Sequence, residues 1–197
     1  MPPDSSETKR RLLESAAAEF SRYGLAGARV DRIAHDAQAN KQAIYAHFGS
    51  KDQLFDRVLD DHVRALVDAV PFTPGDLAGY AGASFDHLTE RPELMRLCMW
   101  RYLERGDEED QQAALDRMSA KVRAVADQQR DGSVDDTVDP LDIMVLVIAL
   151  TTAWTLTAPA LLGFGPDPRR LDEQRALVVS SVARLTAPAA FVTASPG

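Results

Sequence analysis

Asn40-Lys41-Gln42-Ala43-Ile44-Tyr45-Ala46-His47-Phe48-Gly49-Ser50-Lys51 reads as a stubby helix with punctuation at both ends. Asn40 suits the N-cap, where its side-chain oxygen accepts a first-turn backbone N–H that has no helical partner. Gly49 stops the helix after Phe48. Upstream, Gly27-Ala28-Arg29-Val30-Asp31-Arg32-Ile33-Ala34 leads into a second short helix with Val30, Ile33, Ala34 and Ala37 on one face. Gln38-Ala39-Asn40 makes a tight break between the two. Between Ser5 and Tyr23, Leu13, Ala16, Ala17 and Phe20 recur at helical spacing; Asp4 with Glu7 resembles a capping box, and Gly24 is the stop. Short second and third helices joined by a tight turn predict a helix-turn-helix, whose third helix fits a major groove while the second braces it across the backbone. Its outward residues are Lys41, Gln42, Tyr45 and His47; Ile44 and Phe48 turn inward. A generic three-helix packing unit has the same periodicity.

Downstream, Ser50 and Gln53 form a second capping box that starts a long helix through Leu54, Val58, His62, Ala65 and Ala69. After Pro71 and Pro74-Gly75, helical pattern resumes over Asp76–Leu88, Pro92–Glu104 and Glu108–Arg130. Pro140 opens a very apolar helix that Gly163–Pro168 ends, and a striped helix, Leu171–Leu185, closes the series. No stretch sustains the period-two alternation of a strand. The expected fold is therefore all-α: an N-terminal three-helix DNA-binding domain over residues 1–50 with a helix-turn-helix, a larger helical ligand-binding and dimerisation domain over 51–190, and a flexible tail over 191–197. Ile143–Phe164 carries no charge over twenty-two residues, long enough to be weighed as a membrane span. Its four threonines, Pro159 and the nearby Asp139 and Asp142 point instead to a buried helix whose surplus apolar face covers a subunit interface.

Composition narrows the function. The 197 residues hold 22 Lys/Arg against 30 Asp/Glu for a net charge of −8, with 45% hydrophobic residues. Residues 1–51 nevertheless carry a net +2 and the remainder −10, the pattern of an anion-binding head on an acidic carrier. The single cysteine, Cys98, rules out an internal disulfide or a cysteine zinc cluster. No apolar leader follows Met1, so a cytoplasmic setting is expected. The four histidines lack metal-ligand spacing, and neither a phosphate-binding glycine loop nor a nucleophile elbow is present. No enzyme activity, cofactor or metal is expected.

Residues 8–55, with Tyr45, Phe48 and Lys51 as a Tyr-x-x-Phe-x-x-Lys core followed by Asp52 and Leu54-Phe55, resemble the DNA-binding domain of TetR/AcrR-type regulators. The resemblance implies that Lys41, Gln42 and Ala43 face base edges, Gln42 being suited to adenine N6/N7. It implies phosphate contacts from Tyr45, His47 and Lys51, and a phosphate or groove contact from Arg29. The family usually has glycine where this chain has Gln38; a left-handed backbone there costs on the order of 1 kcal/mol. Also implied are a homodimer on a palindromic operator of double-stranded DNA, with recognition helices about 34–36 Å apart or a multiple of it, and a small-molecule effector bound among the later helices. Met95, Cys98, Met99 and Tyr102 along one helix side are pocket candidates, joined by Thr151, Trp154 and His62. The alternatives are a dimeric small-molecule carrier with a vestigial head, a membrane-anchored protein using residues 143–164, and an enzyme on a helical scaffold.

Overall fold

A computed structural model describes residues 5–105, 112–157 and 168–188. Among them are nine α-helices and no strand: α1 (Ser5–Gly27), α2 (Val30–Asp36), α3 (Lys41–Phe48), α4 (Lys51–Ala69), α5 (Leu77–Glu90) after a 3-10 turn at Pro74–Asp76, α6 (Glu93–Arg105), α7 (Gln112–Arg130), α8 (Pro140–Leu156) and α9 (Pro168–Thr186). The all-α expectation holds. The chain divides into two compact units, Met1–Leu66 with Arg91–Glu108, and Val67–Glu90 with Glu109–Gly197. The sequence boundary at residue 50 falls inside the first unit, because α4 and α6 pack with the three N-terminal helices. The Gly163–Pro168 stop, the start of the Glu108–Arg130 segment and the tail over 191–197 lie wholly or mostly outside the described residues.

The first unit is built on α1. Leu12, Ala16 and Phe20 are fully buried, one residue in four, so they form a single stripe along the helix. Leu13 sits at the rim, half-buried, and Leu12 takes the core place that the sequence pattern gave it. Phe20 meets Phe55 of α4 edge-on at 5.2 Å, with Ile33, Ile44, Leu54 and Leu97 closing the core at 0% exposure. Gly24 breaks α1 at φ 70° and admits Trp100 of α6, whose ring would lie 2.7 Å from an added Cβ. Beyond it the chain makes one more turn, whose Leu25 N–H donates to Glu104 Oε2 at 2.7 Å. Arg96 Nε and Trp100 Nε1 both donate to the Ser21 carbonyl, at 2.8 and 3.2 Å. Helix α6 thus satisfies the backbone groups that the end of α1 leaves open.

The break after α2 is a Schellman turn: Ala39 N–H donates to the Ala34 carbonyl at 2.9 Å and Gln38 N–H to the His35 carbonyl at 3.0 Å. That closure requires a left-handed residue, and Gln38 has φ 51°. Only glycine takes this conformation without strain. Gln38→Gly relieves about 1–2 kcal/mol of strain and returns about 0.5–1 kcal/mol as unfolded-chain entropy. The expected net is a melting temperature a few degrees higher; a lower one would show that the Gln38 side chain stabilises the turn.

The second unit packs α5, α7, α8 and α9 around Ala81, Phe85, Val125, Ile143, Met144, Val147, Val178 and Val182. Pro140 occupies the first turn of α8, and Asp139 caps it by accepting from Leu141 N–H at 2.8 Å. One side of α8 faces the core, while Leu141, Val145, Leu146, Ile148 and Leu156 on the other are 40–52% exposed. Leu171 and Leu177 of α9 are similarly exposed, at 42% and 51%. No helix among the described residues is long and apolar enough to cross a membrane.

Candidate nucleic-acid interface

Helix α3 is fixed from below and capped from the front. Ile44 is fully buried, so its neighbours at Lys41, Gln42 and Tyr45 point outward, all exposed, while Ala43 and His47 are half-buried at the edge. Asn40 Oδ1 accepts the Ala43 N–H at 2.7 Å, the expected cap. Ser50 Oγ accepts the Gln53 N–H at 3.0 Å at the start of α4. The outward side of α3 therefore offers an ammonium, a carboxamide and a phenol in its first turn and a half. These are the groups that pair with phosphate oxygens and base edges.

The cations are held in specific places. Lys41 Nζ lies 3.0 Å from Asp31 Oδ1 of α2, and that carboxylate holds the ammonium above its ordinary pKa. A nucleic-acid contact by Lys41 exchanges Asp31 for another acceptor. Lys51 Nζ donates to the Ala28 carbonyl at 3.3 Å, pinning the front of α4 to the loop before α2. Arg29 is exposed, and its backbone N–H donates to Glu19 Oε1 at 2.8 Å.

Glu19 is a residue that the sequence reading missed. Its carboxylate is nearly buried, caps α2 through Arg29 N–H, and takes Arg32 Nε and Nη2 at 2.9 and 2.6 Å. That ion pair raises the Arg32 pKa, chiefly through the hydrogen bond to Glu19. A signal existed: Glu19 stands seven residues after Leu12, on the apolar stripe, where a charge needs a partner. Together Glu19 and Arg32 lock the helix that supports α3.

The pocket candidates separate. His62 lines a groove of about 640 Å³ with Leu13, Ala17, Val58, Glu93 and Arg96, between α1, α4 and α6. Its Nδ1–H donates to the Val58 carbonyl at 2.8 Å, because a carbonyl only accepts. Met95 and Cys98 are half-buried, and Met99 and Tyr102 are exposed at 41% and 67%, while Leu94 and Leu97 take the inner face of α6. Burial pushes the Cys98 thiol up in pKa, against the opposing pull of Arg101, which makes it a poor nucleophile. Thr151 and Trp154 belong to the second unit, where the Thr151 hydroxyl donates to the Ile148 carbonyl at 2.9 Å and Trp154 meets Phe85 edge-on at 6.0 Å.

Two family descriptions match this architecture: "Bacterial regulatory proteins, tetR family" over residues 12–58 and "Tetracyclin repressor-like, C-terminal domain" over residues 76–184. The chain belongs to the TetR family. The HTH-type transcriptional repressor SCO4008 of Streptomyces coelicolor is 40% identical over 158 residues, spanning 79% of this chain and 82% of that protein. The HTH-type transcriptional repressor NicS of Pseudomonas putida is 38% identical over 61 residues, 31% of this chain and 28% of its own length. Among solved structures, SCO4942 of Streptomyces coelicolor superposes with a TM-score of 0.81 at 34% identity, covering 91% of this chain and 98% of that one. The N-terminal TetR match ends inside α4 and the C-terminal one begins at the 3-10 turn before α5. All seven positions singled out for DNA, from Arg29 to Lys51, fall within the N-terminal match.

Proposed function

We propose that this TetR-family regulator is a cytoplasmic, homodimeric repressor that reads a palindromic operator and is released from it by a small molecule. The observation that carries the DNA-reading half is the outward presentation of Lys41, Gln42 and Tyr45 on a helix anchored by the fully buried Ile44. Gln42 reads a base edge, Lys41 and Ala43 flank it, and Tyr45, His47, Lys51 and Arg29 take phosphates. The half that concerns assembly rests on α8, whose exposed apolar side is covered when a second copy of the chain packs on it. Two heads held in this way meet successive major grooves, so the operator repeats with two-fold symmetry. Release follows when a ligand favours a conformation with the wrong head spacing. His62, with its groove, and Met95, Cys98, Met99 and Tyr102 of α6 stand on the first unit, and Thr151 and Trp154 on the second.

Gln42→Ala is the direct test of base reading. It is expected to flatten preference at one base pair per half-site by roughly 1–3 kcal/mol while leaving the other positions unchanged. Unaltered preference everywhere would remove Gln42 from the base-reading role. A dimeric carrier with a vestigial head predicts instead no salt-dependent affinity for duplex DNA in the unaltered protein.

A further inference from the structure

Beside the recognition helix, α1, the turn and α3 enclose a second groove of about 590 Å³, lined by Thr8, Arg11, Gln38, Asn40, Ala43 and His47, with Ala39 between them. Two of the lining residues carry an orphaned donor: the Thr8 hydroxyl and Arg11 Nε are buried without a hydrogen-bond partner. They stand three residues apart on α1 and so share a face. The neighbouring Arg10, by contrast, is tied to Glu7 and Glu14. None of the lining residues is acidic, although the chain as a whole carries −8. A buried donor left unmatched is costly, and a guanidinium matches the oxygens of a phosphate in a planar fork.

We propose that Arg11, with Thr8, is a further DNA-backbone anchor: a phosphodiester of the bound duplex enters this groove and takes the Arg11 guanidinium and the Thr8 hydroxyl. The inference rests on the DNA-reading function proposed above. It adds a contact from the first helix, outside residues 12–58 that the N-terminal family description matches. The groove reaches α3 at Ala43 and His47, so a phosphate seated there lies next to the bases that α3 reads. Arg11 then carries no base preference; it fixes the register of α3 on the duplex.

The test is a salt titration of duplex binding by full-length protein. Each phosphate contact contributes about 0.9 to the slope of log K against log salt, so losing Arg11 in both protomers of a dimer makes the slope shallower by about 1.8. Between 50 and 200 mM salt, Arg11→Gln should lose about twelvefold less affinity than the unaltered protein does. Operator and unrelated duplexes should weaken alike, and Arg11→Lys should restore the slope. Thr8→Val should weaken binding with the slope unchanged. If Arg11→Gln keeps its fold, the original slope and the original affinity, the anchor is overturned while the DNA-reading function stands. If the unaltered protein binds no duplex, that function and the anchor fall together. If inorganic phosphate raises the melting temperature only when Arg11 is present, yet the DNA slope does not change, the groove is a free-anion site and the anchor is overturned.

Discussion

Val145→Glu combined with Ile148→Glu should convert the protein from dimer to monomer and lower its operator affinity at least a hundredfold. Both residues lie on the outer side of α8, at 52% and 40% exposure, and neither belongs to the core of the second unit. The substitutions therefore leave the protomer folded and act on what covers that side. In a two-fold interface each change appears twice, so four carboxylates enter an apolar contact. An ionised carboxylate buried without a partner is far more costly than the apolar burial it replaces, which contributes about 25 cal/mol per Å². A monomer reaches one half-site only. Specific complexes dissociate at about 10⁻⁸–10⁻¹¹ M and non-specific ones at about 10⁻⁴–10⁻⁶ M, and losing half of the base contacts moves the protein well toward the second range. Light scattering and operator titration check the two effects together. A variant that stays dimeric with unaltered affinity would place the interface elsewhere.

Phe20→Ala carries the largest expected loss of stability in the head. The ring is fully buried and packs edge-on against Phe55 at 5.2 Å. Removing a buried phenyl costs about 3–5 kcal/mol, the cavity included, against a total folding stability of about 5–15 kcal/mol. For a chain of this size about 2–4 °C is lost per kcal/mol, so melting should fall by roughly 6–20 °C. DNA binding should fail at temperatures the unaltered protein tolerates. Phe55→Ala should behave similarly, and the double variant should cost less than the sum because the two rings share one contact. Leu13→Ala, at the rim, is the control and should lose much less. A shift under about 2 °C for Phe20→Ala would mean that the head is not held by this core.

Features written in local sequence were legible. The caps at Asn40 and Ser50, the first-turn Pro140 and the buried faces of α2 and α3 depend on residues within four positions of one another, and periodicity records them. The left-handed backbone at Gln38 was legible only through the resemblance, because TetR/AcrR-type regulators usually carry glycine at that position. The surplus apolar character of α8 also survived, as an exposed side rather than a membrane span. What did not show was pairing over long separations. Arg96, Trp100 and Glu104 meet the end of α1 across 75–79 residues, and no local pattern encodes that approach. This is why α6 reads as part of a separate domain in sequence and packs with α1 in the structure. The pocket candidates divided for a related reason: a stripe of Met, Cys and Tyr marks one side of a helix without saying what faces it. Of the seven, the structure sets His62 in the groove at α1, puts Thr151 and Trp154 in the second unit, and leaves Tyr102 exposed.

The measurement that bears most directly on DNA reading is selection of bound sequences from random duplex DNA by the full-length protein, followed by a salt titration on the winner. The expected result is a palindromic consensus whose half-sites are one helical turn or a multiple apart, bound with an affinity that falls steeply as salt rises. A folded dimer that enriches no sequence and binds no duplex would contradict it, and a carrier with a vestigial head would take its place.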